Sequence, residues 1–206
     1  MKDDLGDRMK FYERQYTADV FLPMIPTVAR LDGRSFHTFT KGLKRPYDEG
    51  MSQLMIETTK FLVEKTNANV GYTQSDEITL LWFNEDWGSS IFFEGKVHKM
   101  TSILSSMTSV FFNKNLEKYL PEKKNEMPLF DCRVFQVPEQ EAPNVFIWRE
   151  QDASRNSIQM AARAYFSYSE CVNKSCSELQ DMLHEKGVTN SYHKIYGNLG
   201  EPRQLF

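Results

Sequence analysis

The sequence predicts an α+β fold, built on an antiparallel sheet whose elements follow the order βαββαβ with helices on one face. Runs rich in β-branched and aromatic residues predict the strands, and two of them flank a polar turn as in a hairpin. Apolar residues at helical spacing predict the two long helices between the strands. In chain order, the predicted elements are a strand at 27–31, a helix at 48–65, strands at 67–74 and 77–83, a helix at about 95–118 and a strand at 130–137.

Local sequence signals justify the limits of these elements. Pro23 and Pro26 end any preceding helix, and Gly33 ends the first strand by permitting backbone geometry that a Cβ would hinder. Asp48 is a good N-cap for the first long helix. The resulting order is that of a ferredoxin-like or polymerase-palm sheet.

The remaining segments are expected to pack around this sheet. Residues 7–16 predict a short amphipathic helix beside the first strand, and residues 145–148 predict an added edge strand. Asp152 is expected to open a helix, and Gly187 to end a shorter helix at 177–186. Residues 188–206 show little periodicity and are predicted to form a loop.

Composition limits the class of protein without naming a function. The chain has 206 residues, of which 40% are hydrophobic, enough for one sizeable core. The N-terminal segment lacks the apolar stretch of a signal peptide, and no apolar run is long enough to span a membrane, so a cytoplasmic location is expected. The net charge of −3 excludes a uniformly basic nucleic-acid coat but not local phosphate binding.

Two acidic residues stand where core strands are predicted to end or turn. Asp32 follows the first strand, and Asp76 lies in the predicted hairpin. Either residue alone is commonly explained by hydrogen bonds to the backbone of a turn. Two carboxylates brought together need a compensating charge, so the pair predicts a site for two Mg²⁺ ions that act on triphosphate oxygens.

Other features are compatible with a phosphate site. The turn from Gly33 to His37 presents backbone N–H groups that can cradle phosphates. Lys96 and Lys99 lie three residues apart at the start of a predicted helix, where side-chain charge and helix dipole both favour an anion. A solvated helix face is the competing interpretation for the two lysines.

Two long motifs then point to a family. Two segments together resemble the tRNA-histidine guanylyltransferase superfamily: VARLDGRSFHTFTKGLKRPYDEG, which starts at Val28, and GYTQSDEITLLW, which starts at Gly71. Members of that superfamily add nucleotides to the 5′ end of tRNA in the 3′-to-5′ direction. The resemblance implies Mg²⁺, ATP or GTP as activating and incoming nucleotides, tRNA as the partner, and a homotetramer.

The resemblance also assigns roles to residues of this sequence. It implies metal ligation by Asp32, Gly33 and Asp76, and catalytic roles for Asp32, Asp76 and the adjacent Glu77, for which a plain strand role is equally open. The implied nucleotide-binding residues are Asp32, Gly33, Arg34, Ser35, Phe36, His37, Arg45, Asp48, Ser75, Asp76, Lys96 and Lys99. Residues 1–140 are accordingly expected to form a palm-like catalytic domain, with 141–206 as a C-terminal helical extension packed on it.

A departure from the eukaryotic members bears on specificity. Where those enzymes carry the motif His-Ile-Asn-Asn-Leu-Tyr-Asn, residues 148–157 read WREQDASRNS, which is similar to the bacterial and archaeal guanylyltransferase-like proteins that repair 5′-truncated tRNA on a template. Asp152, Arg155 and Asn156 are candidate tRNA contacts, although a helix-capping role for Asp152 is equally open.

Three other functions stay open at this point. They are guanylate addition restricted to tRNA-histidine, a nucleotide cyclase-like palm enzyme, and a non-catalytic RNA-binding module of the RRM type, whose element order is the same.

Overall fold

The computed structural model describes residues 4–188 and 194–197. The helices are α1 (Asp4–Thr17), α2 (Phe36–Phe39), α3 (Glu49–Thr66), α4 (Val97–Tyr119), α5 (Ala142–Tyr165), α6 (Tyr168–Cys171) and α7 (Cys176–Glu185). The strands are β1 (Thr27–Gly33), β2 (Val70–Gln74), β3 (Glu77–Trp82), β4 (Phe130–Gln136) and β5 (Lys194–Gly197). Short 3₁₀ turns occur at Phe92–Gly95, Pro121–Lys123 and Glu139–Glu141.

The strands form one antiparallel sheet in the order β4-β1-β3-β2-β5. The predicted βαββαβ order and α+β class are confirmed, and only the four-residue α2 is added between β1 and α3. β1 lies between β3 and β4, so Asp32 is directly opposite Glu77 on one side and Asp131 on the other. This register decides which side chains meet at the end of the sheet.

The main core lies between one face of the sheet and the two long helices α3 and α4. Alternate strand residues such as Leu31, Ile78 and Leu80 are fully buried there. Helix α4 contributes Met100, Leu104 and others at intervals of four residues, as expected for one helical face. Asp48 caps α3 as predicted, because its carboxylate accepts the Met51 N–H at 3.1 Å.

Helix α5 lies against the other face of the sheet. Trp148 stacks with Arg30 of β1, the guanidinium carbon being 5.3 Å from the ring centroid, and Phe146 meets Tyr72 of β2 edge to face. A second, smaller core forms farther along α5, where Ala161 and Ala162 pack against Leu179 and Leu183 of α7. The sheet is therefore covered by helices on both faces, not only on the predicted one.

Two predictions for the start of α5 are wrong. Residues 145–148 belong to α5 and do not form an edge strand, and Asp152 lies within that helix instead of capping it. The physical reason is Pro143, which occupies the first turn of the helix, where its missing N–H has no helical partner to lose. A proline ends a helix that comes before it, but it is well tolerated in the first turn of a helix that starts there.

The predictions for the two ends of the chain need correction as well. Helix α1 forms as predicted, but its large apolar residues Phe11, Tyr12 and Tyr16 are exposed, so it is not docked beside β1 through them. Within the predicted loop at 188–206, β5 pairs with β2 as an edge strand. The rest of that predicted loop, residues 189–193 and 198–206, lies outside the described residues. No helix among the described residues is long and apolar enough to cross a membrane.

Candidate active site

The ends of β1 and of the β2–β3 hairpin bring two aspartates together. Ser75 and Asp76 form the two-residue turn between Gln74 and Glu77, and Ser75 adopts a left-handed conformation with φ of 48°. The Gly33 N–H donates to the Asp76 carbonyl oxygen at 3.1 Å, which ties the tip of the hairpin to the end of β1. Asp32 and Asp76 consequently lie together at the strand ends on one end of the sheet, as the two motifs predicted.

The electrostatics at this end of the sheet favour a cation. Burial raises the pKa of Asp76 above its ordinary value; the Ser75 hydroxyl, which donates to Oδ1 at 3.0 Å, lowers it, and the nearby charge of Asp32 raises it again. The carboxylate pair is thus destabilised in its doubly ionised form. A bound cation would relieve this repulsion.

A cleft of about 420 Å³ opens in front of the two aspartates. Its walls come from three parts of the chain: the end of β1 with the β2–β3 turn, the loop and first turn of α3 around Asp48, and the middle of α5. A volume in this range suits a nucleotide-sized ligand, since small-molecule sites span roughly 300–1,000 Å³. The predicted residues that line the cleft are Asp32, Asp48, Ser75, Asp76, Glu77, Asp152 and Asn156.

The remaining predicted residues on the β1 side do not line this cleft. The side chains of Arg34, Ser35, His37 and Arg45 are exposed beside it. Phe36 is 3% exposed and packs among the aromatic rings of the main core, so its side chain has no access to a ligand. Gly33 is buried, and a Cβ added there would stand 2.3 Å from the Phe36 ring, so the close approach requires glycine.

Lys96 and Lys99 lie at the other end of the sheet. Helix α4 starts where β3 finishes: Trp82 stacks on Phe92, and Lys96 pairs with Val20 just before β1. From Thr27 to Asp32, β1 spans about 17 Å. Lys96 forms an ion pair with Glu94 at 2.6 Å, and neither lysine lines the cleft, so their predicted contact with the nucleotide stays a prediction.

Sequence reasoning missed two cations, one that lines the cleft and one that contacts residues of its wall. Lys44 lines it, next to the predicted Arg45, and its backbone N–H donates to Asp48 Oδ2 at 3.2 Å. The basic residues before Pro46 were the available signal. The sequence did not indicate which of their side chains faces the cleft.

Arg149 is the second missed cation, and it joins α5 to the sheet. Its side chain is 4% exposed; Nε lies 3.2 Å from Glu77 Oε1, and Nη2 lies 2.6 Å from Asp152 Oδ2. It also stacks on Trp148, 4.0 Å from the ring centroid. Because an edge strand was predicted at 145–148, no sequence signal directed Arg149 towards Glu77.

The Arg149 contacts set the character of the two carboxylates. Burial raises the pKa of Glu77, although Arg149 and Arg30 act in the opposite direction. Burial also acts to raise the pKa of Asp152, but the hydrogen bonds and charges of Arg149 and Arg155 outweigh it and lower that pKa. Glu77 is therefore held in an ion pair instead of being free to act as a base, and Asp152 stays ionised at the cleft wall.

The donor set fits Mg²⁺. Among residues 4–188 and 194–197 no group of three or more His, Cys, Asp or Glu side chains could hold a metal. Mg²⁺ does not need such a group, because it keeps several waters and is bound through one or two carboxylates plus substrate phosphates. Asp32 and Asp76 would supply the two carboxylates. The pKa of Asp76 is raised mainly by burial and also by the charge of Asp32, and a bound cation would offset both effects.

The raised pKa of Asp76 gives a testable pH dependence of stability. A carboxyl group whose pKa is higher in the folded state than in the unfolded state makes the folded protein less stable once it ionises. This loss of unfolding free energy is absent below the unfolded-state pKa and develops as pH rises through the folded-state pKa. In chelator-treated protein, we expect Asp76→Asn to raise the thermal midpoint by about 2 °C at pH 7 and not at all near pH 3. Asp131→Asn, at an exposed carboxylate, should bring no such gain; a D76N variant that is less stable than wild type at pH 7 would contradict the assignment.

Fold and cleft together define a class: a palm-like sheet with paired strand-end carboxylates beside a nucleotide-sized cleft. The sequence model of the family described as Thg1: tRNAHis guanylyltransferase matches residues 6–138. The chain therefore belongs to this family, as its motifs predicted. The match includes β1 and the β2–β3 hairpin and ends just after β4.

Curated relatives and solved structures agree with this membership. The chain is 35% identical over 189 residues to the uncharacterized protein R259 of Acanthamoeba polyphaga mimivirus, covering 81% of this chain and 64% of that one. It is 30% identical over 156 residues to the tRNA(His) guanylyltransferase of Saccharomyces cerevisiae, covering 71% and 64%. The chain thus spans just under two thirds of the length of these relatives.

Two bacterial structures resemble the chain in fold and sequence. A bacterial tRNA(His) guanylyltransferase (Thg1)-like protein in complex with ATP matches with a TM-score of 0.90 at 33% identity, covering 97% of this chain and 91% of that one. A bacterial Thg1-like protein in complex with GTP matches with a TM-score of 0.77 at 36% identity, covering 88% and 77%.

Proposed function

We propose that this protein is a magnesium-dependent nucleotidyltransferase that extends the 5′ end of tRNA in the 3′-to-5′ direction, and that it repairs 5′-truncated tRNA on a template. The observation that carries the proposal is the meeting of Asp32 and Asp76 at one end of the sheet, facing a single cleft. Family membership supplies the substrate class.

The proposed reaction has two phosphoryl-transfer steps. In the first, an oxygen of the tRNA 5′-monophosphate attacks the α-phosphorus of ATP or GTP, and pyrophosphate leaves. In the second, the 3′-hydroxyl of the incoming nucleotide attacks the activated 5′-phosphorus, and the nucleoside monophosphate leaves while the hydroxyl proton is lost. When bound, Mg²⁺ would neutralise phosphate charge and favour the ionised hydroxyl.

The residues of this chain then have separate tasks. Asp32 and Asp76, with the Gly33 carbonyl, would hold the ions, and Lys44 would pair with phosphate oxygens from the opposite wall. Asn156, whose amide can both donate and accept, faces the same space from α5. The ATP and GTP complexes of the bacterial neighbours support nucleotide binding by this chain, and the cleft is the site that we propose for it.

The choice between repair and a single guanylate addition depends on α5. The segment that departs from the eukaryotic motif places Asp152 and Asn156 in the cleft wall, which supports a different selection of substrate. Guanylate addition restricted to tRNA-histidine is the second candidate, since the yeast relative is named for it.

Nucleotide addition to a panel of tRNA transcripts lacking their first 5′ residue tests the proposal. Each transcript is offered with and without a templating base opposite the missing position, and with each of the four nucleotides. We expect the added base to follow the templating base in several tRNAs. Guanylate addition to tRNA-histidine alone, whatever the opposing base, would instead establish the second candidate.

Three further expectations accompany the proposed function. The small core between α5 and α7 supports a C-terminal helical extension, residues 141–206, on a catalytic domain of residues 1–140. The family resemblance implies a homotetramer, which light scattering on the purified protein tests, and a cytoplasmic location stays an expectation of the sequence. Arg155, which is 60% exposed, remains a proposed tRNA contact together with Asp152 and Asn156.

A further inference from the structure

A second pocket lies between α5, α6 and α7, away from the two aspartates. We call it the α5–α7 pocket; the residues that matter here are Gln159, Arg163, Tyr168, Asn173 and Lys174. Its volume is about 210 Å³, half that of the catalytic cleft. Complete small-molecule ligands occupy sites of roughly 300–1,000 Å³, so the size favours one group of a larger molecule.

The lining of the α5–α7 pocket is cationic. Arg163 and Lys174 line it, and no acidic residue does. Within residues 4–188 neither cation forms an ion pair. Two acids lie on the neighbouring helices, and each accepts a backbone N–H at 2.8 Å, Glu170 from Ser167 and Glu178 from Ser175. Hydrogen bonds from Ser175 are the main cause of the lowered pKa of Glu178, to which the charge of Lys174 adds a smaller effect. In a chain of net charge −3, two exposed cations that form no ion pair with any described residue favour an anion at this pocket.

The other side chains suit a phosphodiester. Gln159 and Asn173 provide amide donors, and Tyr168, which is 78% exposed, offers a hydroxyl and an aromatic face. Arg and Lys contacts to phosphate, supported by amide and hydroxyl donors, are the usual means of holding a nucleic-acid backbone. The aromatic face is available for a sugar or an unpaired base.

The position of the pocket connects it to the catalytic cleft. Asp152, Asn156 and Arg163 lie at i, i+4 and i+11 on α5, which places them along one face of the helix. Asn156 and Arg163 are about 10 Å apart along the helix axis. The adjacent residues Met160 and Gln159 line the cleft and the pocket respectively, so the two cavities adjoin along α5.

We propose that the α5–α7 pocket binds a backbone phosphate of the same RNA whose 5′ end reacts at Asp32 and Asp76, with Arg163 and Lys174 as its ligands. This inference rests on the proposed function. A polymer that reaches the cleft along α5 meets the pocket within a few nucleotides of its end. This contact would fix the distance between the bound backbone phosphate and the reacting 5′ phosphate of the RNA, and it does not depend on the RNA sequence.

Binding of a fluorescent tRNA transcript lacking its first 5′ residue tests the proposal. Anisotropy titrations at several salt concentrations compare the wild type with R163A/K174A, and calorimetry measures the affinity of each protein for ATP. We expect the double variant to bind the transcript about 10-fold more weakly, with a salt dependence reduced by about 1 to 2 in slope. Its affinity for ATP should not change.

Two further variants separate charge at this place from charge in general. R163K/K174R keeps both cations and should bind tRNA as the wild type does. K65A/K114A removes two exposed cations from α3 and α4, on the opposite face of the sheet, and should bind within about 2-fold of the wild type.

The outcomes distinguish this inference from the proposed function. Wild-type binding that R163A/K174A retains in full overturns the inference alone, and so does a loss of ATP affinity with tRNA affinity intact, because the pocket would then hold free nucleotide. A wild-type protein that binds ATP but not the transcript overturns the proposed function, and the inference with it.

Discussion

Asp32→Asn or Asp76→Asn is expected to lower the rate of nucleotide addition to a 5′-truncated tRNA by about 1,000-fold or more. Each substitution removes one of the two carboxylates at the strand ends and keeps the size of the side chain. The surviving carboxylate would hold metal poorly, so charge on the transferred phosphoryl group would lose most of its neutralisation. Single-turnover assays at saturating Mg²⁺ and nucleotide measure the effect.

Asp131→Asn is the matched control for both variants. Asp131 is directly opposite Asp32 on β4, but its side chain is 55% exposed and lies 3.8 Å from Arg133. This substitution removes the same charge from the same end of the sheet without removing a carboxylate from the cleft. Activity should stay within a few-fold of the wild type. Because D76N is expected to be more stable than the wild type at pH 7, its inactivity could not be attributed to unfolding. Equal losses in all three variants would contradict the metal assignment.

Arg149→Met is expected to destabilise the fold by about 3 kcal/mol, since it leaves the partly buried Glu77 and the adjoining Asp152 without their shared cation. Glu77 would then be protonated or exposed to water, either of which disturbs the contact of α5 with the sheet. Urea unfolding followed by tryptophan fluorescence measures the loss. We also expect weaker substrate binding, because Asp152 and Asn156 depend on the position of α5.

Arg155→Met provides the comparison, because Arg155 contacts the same Asp152 at 3.0 Å with a side chain that is 60% exposed. An exposed pair of this kind contributes about 1 kcal/mol or less. The double variant R149M/E77Q should recover part of the stability lost in R149M, as removing both members of a buried pair costs less than removing one. Similar small losses for R149M and R155M would show that the network is not structural.

The sequence was sufficient for the sheet because each of its core elements is specified locally. Strands β1 to β4 have β-forming runs with clear turn residues, and α3 and α4 have apolar stripes and, for α3, a capping acid. Helix α5 was misplaced because Pro143 is equally compatible with the end of one element and the first turn of another. Strand β5 is short and pairs only at an edge, so neither length nor periodicity indicates it.

The cleft was predictable only in part, for a similar reason. Asp32 and Asp76 belong to motifs whose turns are encoded nearby, and the register of β1 with β3 brings them together. Lys44 and Arg149 reach the same region through a loop path and a helix position, neither of which follows from local sequence. Lys96 and Lys99 carried the correct chemistry for phosphate, but α4 begins at the opposite end of the sheet.

Asp32 and Asp76 are proposed to support one reaction, the Mg²⁺-dependent addition of nucleotides to the 5′ end of tRNA. Its most direct measurement is single-turnover incorporation of labelled nucleotide into a 5′-truncated tRNA, with the position of the label mapped and with Mg²⁺ present or chelated. We expect the label to be joined at the 5′ end, only with Mg²⁺, and not in D32N or D76N. Incorporation that survives chelation or the loss of either aspartate would contradict it.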